Sequence, residues 1–87
     1  MMDKQINIFK YFQVIVTRDE STNEILIDLT TDRIAPFVWL ETDVEGIFSD
    51  NGFTLIQPTI QLSFSNRDEE VDIDQFRETL VVRSLLG

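Results

Sequence analysis

An 87-residue chain with sixteen acidic and seven basic side chains carries a net charge of −9, and its length allows one compact core and no catalytic barrel. It contains no cysteine and no histidine, which removes disulfides, thiolate nucleophiles, the usual zinc sites and the commonest general base. The acidic balance repels phosphate backbones and anionic lipids, so neither nucleic acid nor a membrane is an expected partner, and no cofactor or metal is expected.

Residues 1–10 show no clean period of two or of 3.6 and read as a linker or frayed lead-in, which leaves 11–87 as the folded domain. No apolar run approaches the roughly 20 residues that span a bilayer, and no charged segment followed by an apolar one opens the chain. As written, the chain is expected to stay in the cytoplasm. Phe12 to Thr17 is rich in β-branched and aromatic residues, with Phe12, Val14 and Val16 on one face of a strand. The polar cluster RDESTNE, residues 18–24, separates it from the next apolar run by a length suited to a hairpin loop. In that run Ile25, Ile27 and Leu29 alternate with Asp28 and Thr30, the pattern of a strand with one wet face.

Pro36 opens a short strand, Phe37-Val38-Trp39-Leu40, from a place where its missing N–H does little harm. Both faces of this strand are apolar, with Phe37 and Trp39 on one and Val38 and Leu40 on the other. An acidic loop follows, then the turn Ser49-Asp50-Asn51-Gly52. Serine and aspartate there can bond nearby amides, asparagine and glycine tolerate positive φ, and Phe48 and Phe53 on either side pin the turn to the core. Ile60, Leu62 and Phe64 alternate inward after Pro58. Residues 66–74 are a charged loop and 76–85 a last strand with Leu80 and Val82 inward, although 74–80 has some helical character. The pattern predicts an all-β protein.

No reactive centre emerges from these residues. Asp50 beside Asn51 has the look of a sugar-binding pair, but with serine and glycine adjacent an Asx-type turn accounts for it. A retaining glycosidase needs two carboxyls about 5 Å apart on a rigid scaffold, and nothing singles out such a pair. The alternating acids of 68–74 suggest a calcium loop, yet the sixth place lacks glycine and the twelfth, Thr79, is not glutamate, so a solvated loop is the reading. Aromatics at alternating strand positions are more often core than sugar platforms, so direct glycan binding by Trp39 is not expected, and Tyr11 is the better candidate for exposure. Serine and threonine hydroxyls have no histidine to activate them, and catalysis by this chain alone is not expected.

The stretch IAPFVWLETDVEGIFSDNGFTL, beginning at Ile34, resembles the C-terminal immunoglobulin-like domain of β-mannosidases, where the matching segment reads APFVWLD followed by an acidic, glycine-bearing stretch and FSDNxF. Thr79 to Leu85 is similar to that family's last strand. The resemblance implies an immunoglobulin-like β-sandwich of about six to seven antiparallel strands. In such a sandwich a tryptophan on the third strand lies in the core, which would bury Phe37 and Trp39 and turn Val38 and Leu40 outward as an interdomain docking surface. The expected core is then Val14, Val16, Ile25, Ile27, Leu29, Phe37, Trp39, Ile60, Leu62, Phe64, Leu80 and Val82. As the resemblance implies, the function is that of a noncatalytic accessory domain, with the catalytic and other domains of a parent hydrolase as partners. That parent would cleave terminal β-linked mannose. The catalytic glutamates of that family have no counterpart here. The alternative is a stand-alone module that binds a glycan or a protein.

Overall fold

The strands form where β-branched and aromatic residues alternate with polar ones, and turn residues interrupt them. The computed structural model describes residues 5–9 and 11–85. In chain order these form β1 (Gln5–Phe9), β2 (Phe12–Arg18), β3 (Ile25–Thr30), β4 (Ala35–Glu41), β5 (Ile47–Phe48), β6 (Phe53–Leu55), β7 (Thr59–Ser65), α1 (Ile73–Thr79) and β8 (Val81–Arg83). Two antiparallel sheets result, one in the order β1-β2-β3-β7-β5 and one in the order β6-β4-β8. They face each other across a single core, as an immunoglobulin-like sandwich requires.

Part of the expected lead-in is structured. Gln5–Phe9 pairs along its length with β2, from Gln5 opposite Val16 to Phe9 opposite Phe12, and forms the edge of the larger sheet. Residues 1–4 and 10 lie outside the described residues. The loop 19–24 closes the β2–β3 hairpin as anticipated, with the Asp19 N–H donating to the Glu24 carbonyl at 2.8 Å and Asn23 in the left-handed region.

The expected last strand is shorter than 76–85, because a helix takes its first part. Asp72 caps α1, its Oδ1 accepting from the N–H groups of Asp74 and Gln75 at 3.0 and 3.2 Å. The spacing Asp72-x-x-Gln75 is a helix-start signature that the charged character of the segment obscured. Two arginines fasten the helix and its lead-in to the larger sheet. Arg77 Nη2 donates to the Val16 carbonyl at 2.8 Å, and Arg18 Nη2 donates to the Val71 carbonyl at 2.6 Å. Phe76 is thereby driven fully into the core, where its ring lies 4.7 Å from that of Phe64 and 6.0 Å from that of Phe48.

Nine of the twelve expected core residues are buried: Val14, Val16, Ile25, Ile27, Leu29, Leu62, Phe64, Leu80 and Val82. Ile60 is partly buried and packs against them. Phe37 and Trp39 are the exceptions, and they correct the reading of β4. Phe37 is 50% exposed and Trp39 is half-buried, while Val38 and Leu40 are 0% and 2% exposed. Val38 and Leu40 are therefore core residues and not a docking surface. The cause is an irregularity in the strand. Ala35 pairs with Leu55 and Val38 with Phe53, so three steps on β4 face two on β6, and Phe37 takes the extra place with φ of +49°. The inward series becomes Ala35, Val38, Leu40. The aromatic part of the core is made instead by Phe48, Phe64 and Phe76, whose rings pack on one another at tilted angles.

Gly46 enters β5 against the middle of that ring stack. A Cβ added there would stand 2.5 Å from Phe64 Cζ and 2.7 Å from the Ser65 carbonyl oxygen. Gly46→Ala is expected to lower unfolding free energy by about 1–3 kcal/mol, the usual cost of overpacking. Urea denaturation of the two proteins measures it, and an unchanged midpoint would contradict this packing.

Candidate functional site

The outer face of the β6-β4-β8 sheet carries the most unusual exposed chemistry. Phe37 and Trp39 project from it with ring centroids 5.3 Å apart and planes tilted by 55°. The indole N–H donates to Glu41 Oε2 at 3.0 Å, and the other oxygen of that carboxylate lies 3.5 Å from Arg83 Nε. Trp39 and Arg83 are opposite one another in the β4–β8 ladder, so the four side chains share one face. Both members of the Glu41–Arg83 pair are about half exposed, at 53% and 52%, so water screens it and its worth is within about 1 kcal/mol. Its effect is to hold the indole in one orientation.

The turn 49–52 lies at the edge of that sheet, and it does more than reverse the chain. It carries the backbone from β5, in one sheet, to β6, in the other. Two of its side chains finish the ladders that the crossing interrupts. Ser49 N–H donates to the Ser63 carbonyl at 2.8 Å, and Ser49 Oγ accepts from Ser63 N–H at 2.9 Å where a strand carbonyl would stand. Asn51 does the same for the second sheet: its Oδ1 accepts from Leu40 N–H at 2.7 Å and its Nδ2 donates to the Leu40 carbonyl at 3.1 Å. Asp50 Oδ1 accepts from Asn51 N–H at 2.8 Å. Gly52, at φ of +71°, directs its own N–H onto the Val38 carbonyl at 2.8 Å. Phe48 stacks on Phe64 at 4.7 Å, and Phe53 packs partly buried against the core, as anticipated.

Three carboxylates of the domain have structural partners. Asp50 holds the turn, Glu41 holds the indole, and Asp72 caps a helix. Asp43, Glu45, Glu69, Glu70 and Asp72 line an open cleft, and no group of three or more among the described residues has an arrangement suited to a metal ion. Tyr11 is half-buried with the Arg33 guanidinium 4.9 Å over its ring. Two carboxyls titrate below the ordinary value of 3.8. Hydrogen bonds from the Ser21 hydroxyl and N–H lower Asp19, and the Arg33 guanidinium lowers Asp32 by hydrogen bond and charge.

The family model described as an Ig-fold domain of mannosidases matches residues 9–86. The chain belongs to this family. Among curated proteins, the β-mannosidase of Mus musculus is 38% identical over 52 residues, a segment that is 59% of this chain and 6% of the relative. The β-mannosidase of Capra hircus matches to the same extent, and a probable β-mannosidase of Caenorhabditis elegans is 49% identical over 41 residues, 45% of this chain and 4% of that protein. The chain thus corresponds to a small part of the relatives it matches. No solved structure gave a significant match. This mannosidase-type immunoglobulin domain has no membrane-spanning helix among its described residues.

Asn51→Ala leaves both backbone groups of Leu40 without their partners on that side, and the expected loss is about 1–3 kcal/mol of unfolding free energy. Amide exchange at Leu40 should accelerate selectively, which NMR detects. The lowered pKa values of Asp19 and Asp32 also make stability depend on pH. Asp19 and Asp32 stabilise the folded state above the ordinary aspartate range, and that contribution fades as pH falls through their lowered folded values. A carboxyl-carbon NMR titration should find both below 3.8; ordinary values would remove the contribution.

Proposed function

We propose that this domain is a noncatalytic accessory module of a β-mannosidase-type glycoside hydrolase, and that it docks on the rest of its parent through the Phe37–Trp39 face. The observation that carries the reading is the outward aromatic pair. A small sandwich gains most by burying its largest apolar side chains, yet here a phenylalanine is held at φ of +49° with half its surface in water, next to an indole fixed by Glu41. Strain of this kind at an exposed site is more consistent with recognition than with stability. Aromatic residues with an adjacent arginine are also what the centres of protein interfaces favour. The similar proteins are named β-mannosidases and are many times longer than the segment they share with this chain, so a neighbouring hydrolase portion is the natural occupant. In this reading the parent removes terminal β-linked mannose with carboxylates outside these residues, and the domain stabilises or shapes the barrel beside it.

The same aromatic pair would serve a glycan-binding module, since sugar rings stack on exposed aromatic faces. Two measurements separate the readings. The reading frame around these residues should encode a barrel-sized region with two catalytic glutamates, and in the joined protein Trp39→Ser or Phe37→Ser should lower the melting temperature of that region more than that of the isolated domain. Titration of the isolated domain with a β-mannoside should leave the Phe37 and Trp39 resonances in place. Saturable shifts there would favour the glycan module, and turnover of a chromogenic β-mannoside by the 87-residue chain would overturn both.

A further inference from the structure

The chain has four asparagines, followed by Ile8, Glu24, Gly52 and Arg67, and only Asn51 precedes a glycine. An asparagine followed by glycine is the pair most prone to spontaneous deamidation, because no side chain shields the next backbone nitrogen. In that reaction the Gly52 nitrogen loses its proton and attacks Asn51 Cγ. A bond forms between them, the Cγ–Nδ2 bond breaks, and ammonia leaves. Water then opens the cyclic imide at either carbonyl, giving aspartate or isoaspartate at position 51. No oxidant or other reactant is needed.

In the folded protein the attacking amide and the carboxamide it must reach are both otherwise engaged. The Gly52 N–H, which must turn towards Asn51 Cγ, instead donates to the Val38 carbonyl at 2.8 Å. The Asn51 carboxamide, which must rotate to receive it, is held at both ends by the backbone of Leu40, at 2.7 and 3.1 Å. The Asn51 N–H is bound to Asp50. Both residues are exposed, so protection comes from these bonds and not from burial. We propose that Asn51–Gly52 is a latent modification site that the fold keeps inert, and that its conversion destabilises the native closure of this edge. Reaction requires the 51–53 edge to peel from β4, so its rate is gated by that opening. The product cannot close again as before. An aspartate offers no donor to the Leu40 carbonyl and sets a negative carboxylate against that carbonyl's oxygen, and isoaspartate also lengthens the backbone by one carbon. A transient opening thereby becomes a permanent lesion at the junction of the two sheets.

Incubation of the 87-residue chain at neutral pH, with and without denaturing urea, followed by peptide mass mapping, tests the gating. Conversion at Asn51 should be at least about tenfold slower in the folded protein, and in urea it should exceed conversion at Asn23 or Asn66 and rise with pH. Equal rates at Asn51 in the two states would overturn the gating. The second arm is Asn51→Asp, which reproduces one product: its urea midpoint should fall below that of the parent chain. A midpoint equal to the parent's would show that the product closes normally and would overturn the lesion. If the variant does not fold, the lesion is upheld, and the kinetic arm still tests the gating with the unaltered chain.

Discussion

The structure depends on one carboxamide. A sandwich of two sheets is held mainly by apolar packing, which sets the register of a strand with one polar face but not of β4, where both faces are apolar. Between β5 and β6 the chain has only residues 49–52 in which to leave one sheet and join the other. No backbone can make that crossing and still complete both ladders. Asn51 resolves the conflict by presenting an amide that imitates a strand residue, accepting from Leu40 N–H and donating to Leu40 carbonyl. Ser49 makes the smaller equivalent on the other sheet. The register of β4 beyond its irregular step is thus pinned by a side chain.

From that register the rest of the domain follows. Val38 and Leu40 join the core that also holds the tilted rings of Phe48, Phe64 and Phe76, and Phe76 reaches it from a short helix that Asp72 caps and two arginines tie to the larger sheet. With Phe37 and Trp39 outward, the smaller sheet shows an aromatic surface to its surroundings. Packing and surface chemistry are two sides of one strand. The net charge of −9 disfavours anionic partners without specifying another, and the outward rings supply the specificity that the proposed docking needs.

Membership in the mannosidase immunoglobulin-fold family accounts for the two motifs in physical terms. APFVWL is a strand with an irregular step that turns alternate large residues to opposite sides, and FSDNGF is the inter-sheet crossing that fixes it. The polar side chains of both that the structure shows bonded are bonded to backbone or to a neighbour.

Much was written in the sequence alone. Alternation set the inward faces of β2, β3 and β7 because each has an unbroken apolar series at every second position and a mostly polar other side, on which Ile15 and Leu26 are the exceptions, so a slip by one residue would expose the whole apolar set. The turn at 49–52 and the pinning phenylalanines were legible from residue chemistry. The short helix was readable in principle from Asp72 and Gln75, but a seven-residue helix carries too few apolar positions to reveal its period. The face of β4 was not legible at all. Phe37 and Trp39 on one side and Val38 and Leu40 on the other are equally apolar, so local pattern leaves the choice degenerate. Only the assembled sandwich decides it, through the irregular pairing of β4 with β6 and the bonds from Asn51 to Leu40, neither of which exists until residues apart in the chain have met.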